Sequence, residues 1–322
     1  MHLESIRALV QEDMQALEAQ LVTASQSSVP LVNQVTKHLI QSGGKRLRPL
    51  VLVLTARACG YRGDAHIGLG VVLEFVHTAT LLHDDVVDDS HLRRGEHTAN
   101  HRWGNAASVL VGDFLYSRAF ELMVRTENFD ILKRLAEATN VIAEGEVLQL
   151  MNRHNPDLSE ATYRQIIECK TGKLFEVAAH LGAILANAPY AQLNACQQAG
   201  LYLGTAFQLI DDVLDYQCDA KTMGKNMGDD LAEGSPTLPL LYAMWNGNAQ
   251  EKEQIKLAIQ SGGLEHLSQI QQAIKHTNAI AYTAAEAEHT CAQAKNALTA
   301  LPDSVYKEAL LQLIEFTLQR QY

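Results

Sequence analysis

Leu81-Leu82-His83-Asp84-Asp85-Val86-Val87-Asp88-Asp89 sets four carboxylates directly behind an aliphatic run. Read as a helix, Asp84 and Asp88 share one face and Asp85 lies one step round the same turn, so three acids point at one place. Like charges at that spacing repel by about 1 kcal/mol per pair in water, and by more in a half-buried cleft. A divalent cation removes the penalty. Hard oxygen donors with no nearby Cys or ligand-spaced His favour Mg²⁺, which takes one or two carboxylates, keeps some waters and completes its shell with substrate phosphate oxygens. Taken alone, the cluster reads first as a solvated acidic face. A second copy, Asp211-Asp212-Val213-Leu214-Asp215, lies between Phe207-Gln208-Leu209-Ile210 and Tyr216, and two such clusters in apolar settings turn the reading toward metal.

The acids sit in a chain that reads as helix almost throughout. Ala, Leu, Gln and Glu dominate, only seven prolines occur in 322 residues, and few runs alternate apolar with polar residues as half-buried strands do. Leu3, Ile6, Val10, Met14, Leu17 and Leu21 predict one amphipathic helix over residues 1–25. From Leu50 to Asp89 the pattern gives two helices broken near Gly60-Tyr61-Arg62-Gly63, with the first acid cluster closing the second. Trp103 to Arg118 reads as a mostly apolar core helix, and Leu238 to Tyr322 as helical scaffold. The expectation is an all-α chain, 1–322, forming a single large domain.

Cations fall where an anion would need them. In Ser42-Gly43-Gly44-Lys45-Arg46-Leu47-Arg48-Pro49 the glycines end one helix and Pro49 suits the first turn of the next, so Lys45 and Arg48 stand at a helix start that already favours anions. The same residues also read as a basic end to the preceding helix. Arg93 and Arg94 follow the first acids directly; they can each grip a phosphate, or simply neutralise the carboxylates. Gly172 inside an apolar helix costs about 1 kcal/mol against alanine, which predicts a kink or close approach that would project Lys170. Between Cys218 and Pro236 periodicity fails, and Lys221, Gly224, Lys225, Gly228 and Gly234 predict a flexible loop, 218–236, able to act as a lid.

A formal charge of −11 argues against a nucleic-acid partner held through phosphates, though not against a small phosphate bridged by metal. Five cysteines with no CxxC spacing read as reduced thiols of a cytoplasmic protein. Glu4, Glu12 and Asp13 rule out a signal peptide, and no apolar run of about 18 residues predicts a membrane span, so any lipid must come to the protein.

In order and spacing, Gly44-Lys45-Arg46-Leu47-Arg48-Pro49, His77, Asp84 to Asp88, Arg93-Arg94-Gly95, Lys170-Thr171-Gly172, Phe207 to Asp212 and Gly224-Lys225 to Gly228-Asp229-Asp230-Leu231 resemble the trans-isoprenyl diphosphate synthases. The resemblance runs from about residue 30 to the C-terminus. His77 to Asp88 and Gly104 to Asp113 are similar to the bacterial long-chain members that make the octaprenyl tail of quinones. It implies the isoprenoid synthase fold, antiparallel helices around a deep central cavity with the Asp clusters facing across its mouth, and a homodimer. By the same resemblance Asp84, Asp88 and Asp211, supported by Asp85, Asp212 and Asp215, hold about two to three Mg²⁺ ions on an allylic diphosphate. Arg93, Lys170 and Lys225 would contact that diphosphate, and Lys45, Arg48, His77 and Arg94 would bind isopentenyl diphosphate. Thr171 and Gln208 match residues beside the developing allylic cation, and transient membrane contact would release the product.

Val76, Ala79 and Thr80 precede Asp84 on one helical face. Short-chain relatives place a bulky aromatic near Ala79, so alanine implies an open tunnel and a long product. Two features depart from the family: Gly234-Ser235-Pro236-Thr237 lacks an expected lysine, and the end, Gln319-Arg320-Gln321-Tyr322, carries one basic residue to which sequence assigns no role. Competing readings are a geranylgeranyl-length synthase, a non-catalytic synthase subunit and a class I terpene cyclase. The last has no use for Lys45 and Arg48, and a subunit of the second kind tends to lose acids or arginines that are complete here.

Overall fold

The computed structural model describes residues 3–41, 43–217, 228–262 and 264–320. Lys221, Gly224 and Lys225 lie outside the described residues. The all-α expectation holds: helices α1 (Leu3–Ala8), α2 (Gln11–Ala24), α3 (Pro30–Gln41), α4 (Leu47–Ala58), α5 (Ala65–Val87), α6 (Ala99–Trp103), α7 (Asn105–Val124) and α8 (Phe129–Met151) are followed by α9 (Glu160–Ile167), α10 (Lys173–Leu185) and α11 (Tyr190–Gln217). Then come α12 (Asp229–Ala232), α13 (Leu238–Asn246), α14 (Ala249–Ser261), α15 (Leu267–His276), α16 (Ala279–Ala297) and α17 (Val305–Leu318). Among the described residues the one sheet is an antiparallel hairpin, β1 (Leu92–Arg93) with β2 (Glu96–His97), Leu92 opposite His97. The chain falls into two compact units: residues 1–139, 174–200 and 297–313, and residues 140–173, 201–296 and 314–322.

The first unit is built on α5, which packs against α2, α4 and α7. Every residue from Leu69 to Val76 is buried, so this helix is covered all round rather than along one stripe. By length and composition it would also suffice to cross a membrane, contrary to the expectation that no such run exists; here it is a core helix that also buries Glu74 and Asp85. The N-terminal stripe is realised with a break: α1 and α2 separate at Leu9–Val10, yet Ile6, Val10, Met14, Leu17 and Leu21 are all buried. Gly70 lets α2 lie close on α5: a Cβ there would lie 2.2 Å from Leu17 Cδ1 and force that side chain to move.

The expected helix over Trp103 to Arg118 is present, but broken and buried on one side. Gly104, at φ 86°, ends α6 and starts α7, which packs on α5 through Ala107, Ser108, Val111, Gly112, Leu115, Ala119 and Met123. Leu110, Phe120 and Val124 on α7 and Phe129 at the start of α8 are exposed.

The second unit has a core of Tyr163, Ile166, Leu209, Leu214, Leu238 and Leu241, and a further cluster around Ile255, Ile259 and Ile270. The predicted interruption near Gly172 is a π-helical turn, Glu168–Gly172, between α9 and α10. The described part of the expected 218–236 loop is packed rather than loose. Gly234 to Thr237 are buried, the Ser235 amide donates to Asp230 O at 2.8 Å, and Gln149 Nε2 donates to Ser235 Oγ at 3.2 Å. That is where the chain places the serine found instead of a lysine.

Candidate active site

In the first unit the three acids of one helical turn have different surroundings. Asp84 and Asp88, the latter capping α5, are half-buried and reachable, whereas Asp85 is fully buried. Asp85 Oδ1 accepts from Arg93 Nε at 2.9 Å and Nη2 at 2.7 Å. Its backbone carbonyl takes Asn100 Nδ2 and the Ser90 amide, so hairpin, α6 and α5 are tied at this one residue. Arg94 at φ 55° and Gly95 at φ 79° give the hairpin two left-handed central residues, the geometry of a type I′ turn. Arg94 then reaches Gly44, where a Cβ would lie 3.0 Å from its Nη1, so a side chain there would push the guanidinium aside.

Lys45 and Arg48 flank the start of α4, as the sequence implies. Arg7 donates to the Lys45 carbonyl, and the Arg48 guanidinium lies over the Phe175 ring at 4.7 Å. Burial first, and then Arg48, Arg94, Arg93 and Arg46, push His77 well below its ordinary value, so the ring is neutral within a positive field. Val76 and Ala79 are fully buried, and Thr80 Oγ1 donates to His77 O at 2.8 Å.

In the second unit α11 carries Gln208, Asp211, Asp212 and Asp215. Thr171 Oγ1, on the π turn, donates to Gln208 Oε1 at 2.9 Å, and Gln208 Nε2 donates to Asp212 Oδ1 at 2.8 Å. The Tyr163 hydroxyl donates to the other Asp212 oxygen. Burial, followed by Asp230, raises the Asp212 carboxyl well above its usual range. Asp215 is buried too, while Asp211 pairs through Oδ1 with Arg320 Nη1 at 2.8 Å. The Arg320 guanidinium lies over the Phe207 ring at 3.8 Å, and its side chain is only 4% exposed. Lys170 Nζ pairs with Glu146 Oε2 at 2.7 Å, where the π turn meets α8 at Gly145. The C-terminal stretch, read from sequence as scaffold, therefore supplies a side chain to the second acid cluster.

Among the described residues no three His, Cys, Asp or Glu side chains form a ready metal cage. The donor set nevertheless fits Mg²⁺: Asp84 and Asp88 are hard oxygen donors one turn apart and reachable from water, a pair that phosphate and water oxygens would complete. Sequence reasoning missed Arg46, Tyr163, Glu146 and Arg320. Each acts through a partner distant in sequence, so no local pattern marks it.

An all-helical chain with two such acid clusters and a separate arginine-rich anion field has the make-up of a metal-assisted diphosphate-handling protein. Residues 29–277 match the polyprenyl synthetase family model, and the chain belongs to that family. It is similar to octaprenyl diphosphate synthase of Escherichia coli (strain K12), 48% identical over 321 residues and 99% of both chains. It is also similar to the all-trans-nonaprenyl-diphosphate synthase (geranyl-diphosphate specific) of Rhodobacter capsulatus, 45% identical over 98% of both. Among solved structures it resembles a polyprenyl synthase from Caulobacter crescentus CB15 complexed with calcium and isoprenyl diphosphate, at a TM-score of 0.96 and 44% identity, covering 100% of this chain and 98% of that one.

Proposed function

We propose that this chain is a long-chain trans-polyprenyl diphosphate synthase. It condenses isopentenyl diphosphate head to tail onto an allylic diphosphate such as farnesyl diphosphate and releases octaprenyl diphosphate, the precursor of a quinone side chain. The observation that carries the reading is the end of α5, where Asp84 and Asp88 are reachable while Asp85 holds Arg93, beside a neutral His77 in an arginine field. Full-length identity with octaprenyl and nonaprenyl synthases supports the product class. Residues 1–322 work as one synthase domain.

Asp84, Asp88 and Asp211, with Asp215 in support, would hold about two to three Mg²⁺ ions, which neutralise the allylic diphosphate and make it a better leaving group. Asp85 and Asp212 act beside the ligands, Asp85 by aiming Arg93 and Asp212 by orienting Gln208. Arg93, Lys170 and Lys225 stabilise the charge that collects on the leaving diphosphate as the C–O bond ionises. Thr171 and Gln208, already hydrogen-bonded to each other, offer uncharged oxygens to the allylic cation without trapping it. Lys45, Arg48, His77 and Arg94 hold isopentenyl diphosphate so that its double bond attacks C1. The proton then leaves to the departed diphosphate, and no side-chain base is needed.

Val76, Ala79 and Thr80 belong to the face of α5 that sets product length, with the small Ala79 leaving room for a long chain. A homodimer would cover the apolar surface of Leu110, Phe120, Val124 and Phe129. Cys59, Cys196 and Cys291 form no disulfide, in keeping with a cytoplasmic enzyme whose product leaves by transient membrane contact. The test is incubation with farnesyl diphosphate, labelled isopentenyl diphosphate and Mg²⁺, then chromatography of the dephosphorylated alcohols. A ladder ending at the octaprenyl alcohol is expected. A ladder ending at geranylgeraniol would refute the product length, and no condensation by folded protein would refute the enzyme.

A further inference from the structure

Arg46 sits between Lys45 and Arg48 in the basic stretch, yet its charge is already committed. Its Nε donates to Glu18 Oε1 at 2.8 Å and its Nη1 to Glu74 Oε2 at 2.7 Å, and its side chain is 10% exposed. One carboxylate comes from α2 and the other from α5, where Glu74 is buried. A guanidinium gripped by two acids adds little to the attraction of a diphosphate. Its backbone is just as constrained: φ 43° and ψ 42° are left-handed, a region that a side-chain-bearing residue occupies only when its surroundings impose it. Arg46 is also the residue before α4, and its carbonyl accepts the first helical bond, from the Leu50 amide at 3.1 Å.

The left-handed turn at Arg46 sets the angle between Gly43-Gly44-Lys45 on one side and Leu47-Arg48 on the other. Glu74 and His77 are three apart on α5 and so share its face, which ties the loop to the turn that carries His77. A second tether comes from Arg7 on the Lys45 carbonyl. Without Arg46, Glu74 would stand as an unneutralised buried carboxylate beside an anion site.

We propose that Arg46 is the positioning residue of the isopentenyl diphosphate site: clamped by Glu18 and Glu74, it fixes the left-handed turn that sets Lys45 and Arg48 for one diphosphate. This rests on the assignment of Lys45 and Arg48 to that substrate. Arg46 does not touch the substrate; it acts through its neighbours.

The experiment uses the full chain with Arg46→Gln, Arg46→Lys, Glu18→Gln and, as reference, Lys45→Ala. Steady-state constants for both substrates are measured together with calorimetric binding of isopentenyl diphosphate. Arg46→Gln is expected to raise the isopentenyl diphosphate KM about tenfold, while the farnesyl diphosphate KM and kcat each move less than about threefold. Arg46→Lys, which keeps the charge but loses the two-armed fork, should recover part of the loss. Glu18→Gln removes only the outer partner and keeps the test open if Arg46→Gln folds poorly; it should raise the same KM about threefold. A folded Arg46→Gln or Glu18→Gln with an unchanged isopentenyl diphosphate KM overturns the proposal. So does a parallel rise in both KM values with a lower Tm, which marks general structural support. If Lys45→Ala itself leaves that KM unchanged, the assignment of the site fails, and this proposal with it.

Discussion

Replacing Asp85 by Asn separates the two jobs that one acidic turn performs. Asp85 is 1% exposed and binds two nitrogens of Arg93 through one oxygen, whereas Arg93 keeps 25% of its side-chain surface in water. Removing one charge from a wholly buried pair costs about 3–5 kcal/mol. Here the exposure of Arg93 and the amide oxygen that Asn retains lower the cost to about 2 kcal/mol. The backbone should stay in place, because Asn100 and the Ser90 amide hold the Asp85 carbonyl and not its carboxylate. Calorimetry should therefore show a Tm lower by about 4 °C, independent of Mg²⁺. Kinetics should show the farnesyl diphosphate KM raised about tenfold as Arg93 loses its aim. Asp84→Asn is the control: it should change intrinsic stability by less than about 1 kcal/mol and lose the additional stabilisation that metal with diphosphate confers. An Asp85→Asn protein that melts with the wild type, beside an Asp84→Asn protein that melts lower, would refute the division of labour.

Asp84→Ala and Asp211→Ala should each lower kcat at least about a hundredfold with an unchanged far-UV circular dichroism spectrum, since each removes a proposed metal ligand; near-wild-type turnover in either ends that assignment. His77 is held below its ordinary value by burial and then by Arg48, Arg94 and Arg93, so the unfolded chain binds the extra proton more readily. Stability tied to His77 is intact above about pH 6.5 and lost as pH falls below it; His77→Asn should flatten that acid limb in urea titrations, and an unaltered slope would show another group responsible. Arg320→Gln frees Asp211 Oδ1 from its ion pair and should tighten Mn²⁺ binding, followed by electron paramagnetic resonance, about tenfold or about 1.4 kcal/mol. Equal or weaker affinity would show that arginine and metal ion do not compete for that oxygen.

Much of this chain could be read from charge and spacing. The helical pattern located α4 and α5, the glycines placed Lys45 and Arg48 at a helix start, and the lone Gly172 marked what proves to be a π turn. Sequence could not separate Asp84, Asp85 and Asp88, because three aspartates in one turn look alike until Arg93 and Asn100 pack against one of them. It gave Arg320 no role for the same reason: its partners Asp211 and Phe207 lie far back in the chain, and a pairing of that range leaves no periodic trace. The apolar content of α7 was visible, but whether a given face is covered by the same chain is decided by packing, and Leu110 and Val124 are not covered. The break between α1 and α2 escaped detection because the buried stripe runs straight through it.

The apolar character of α5 bears on how the protein must be made. A segment from Ala65 to Val87 with the length and composition of a membrane span, emerging from the ribosome before α7 exists to cover it, is a candidate for mistargeting and for aggregation. The acids at its end, besides any work with metal, give the nascent helix a charged terminus that resists passage into a bilayer. A fragment ending at Trp103 should accordingly be insoluble or membrane-associated, and one extended through α7 should not.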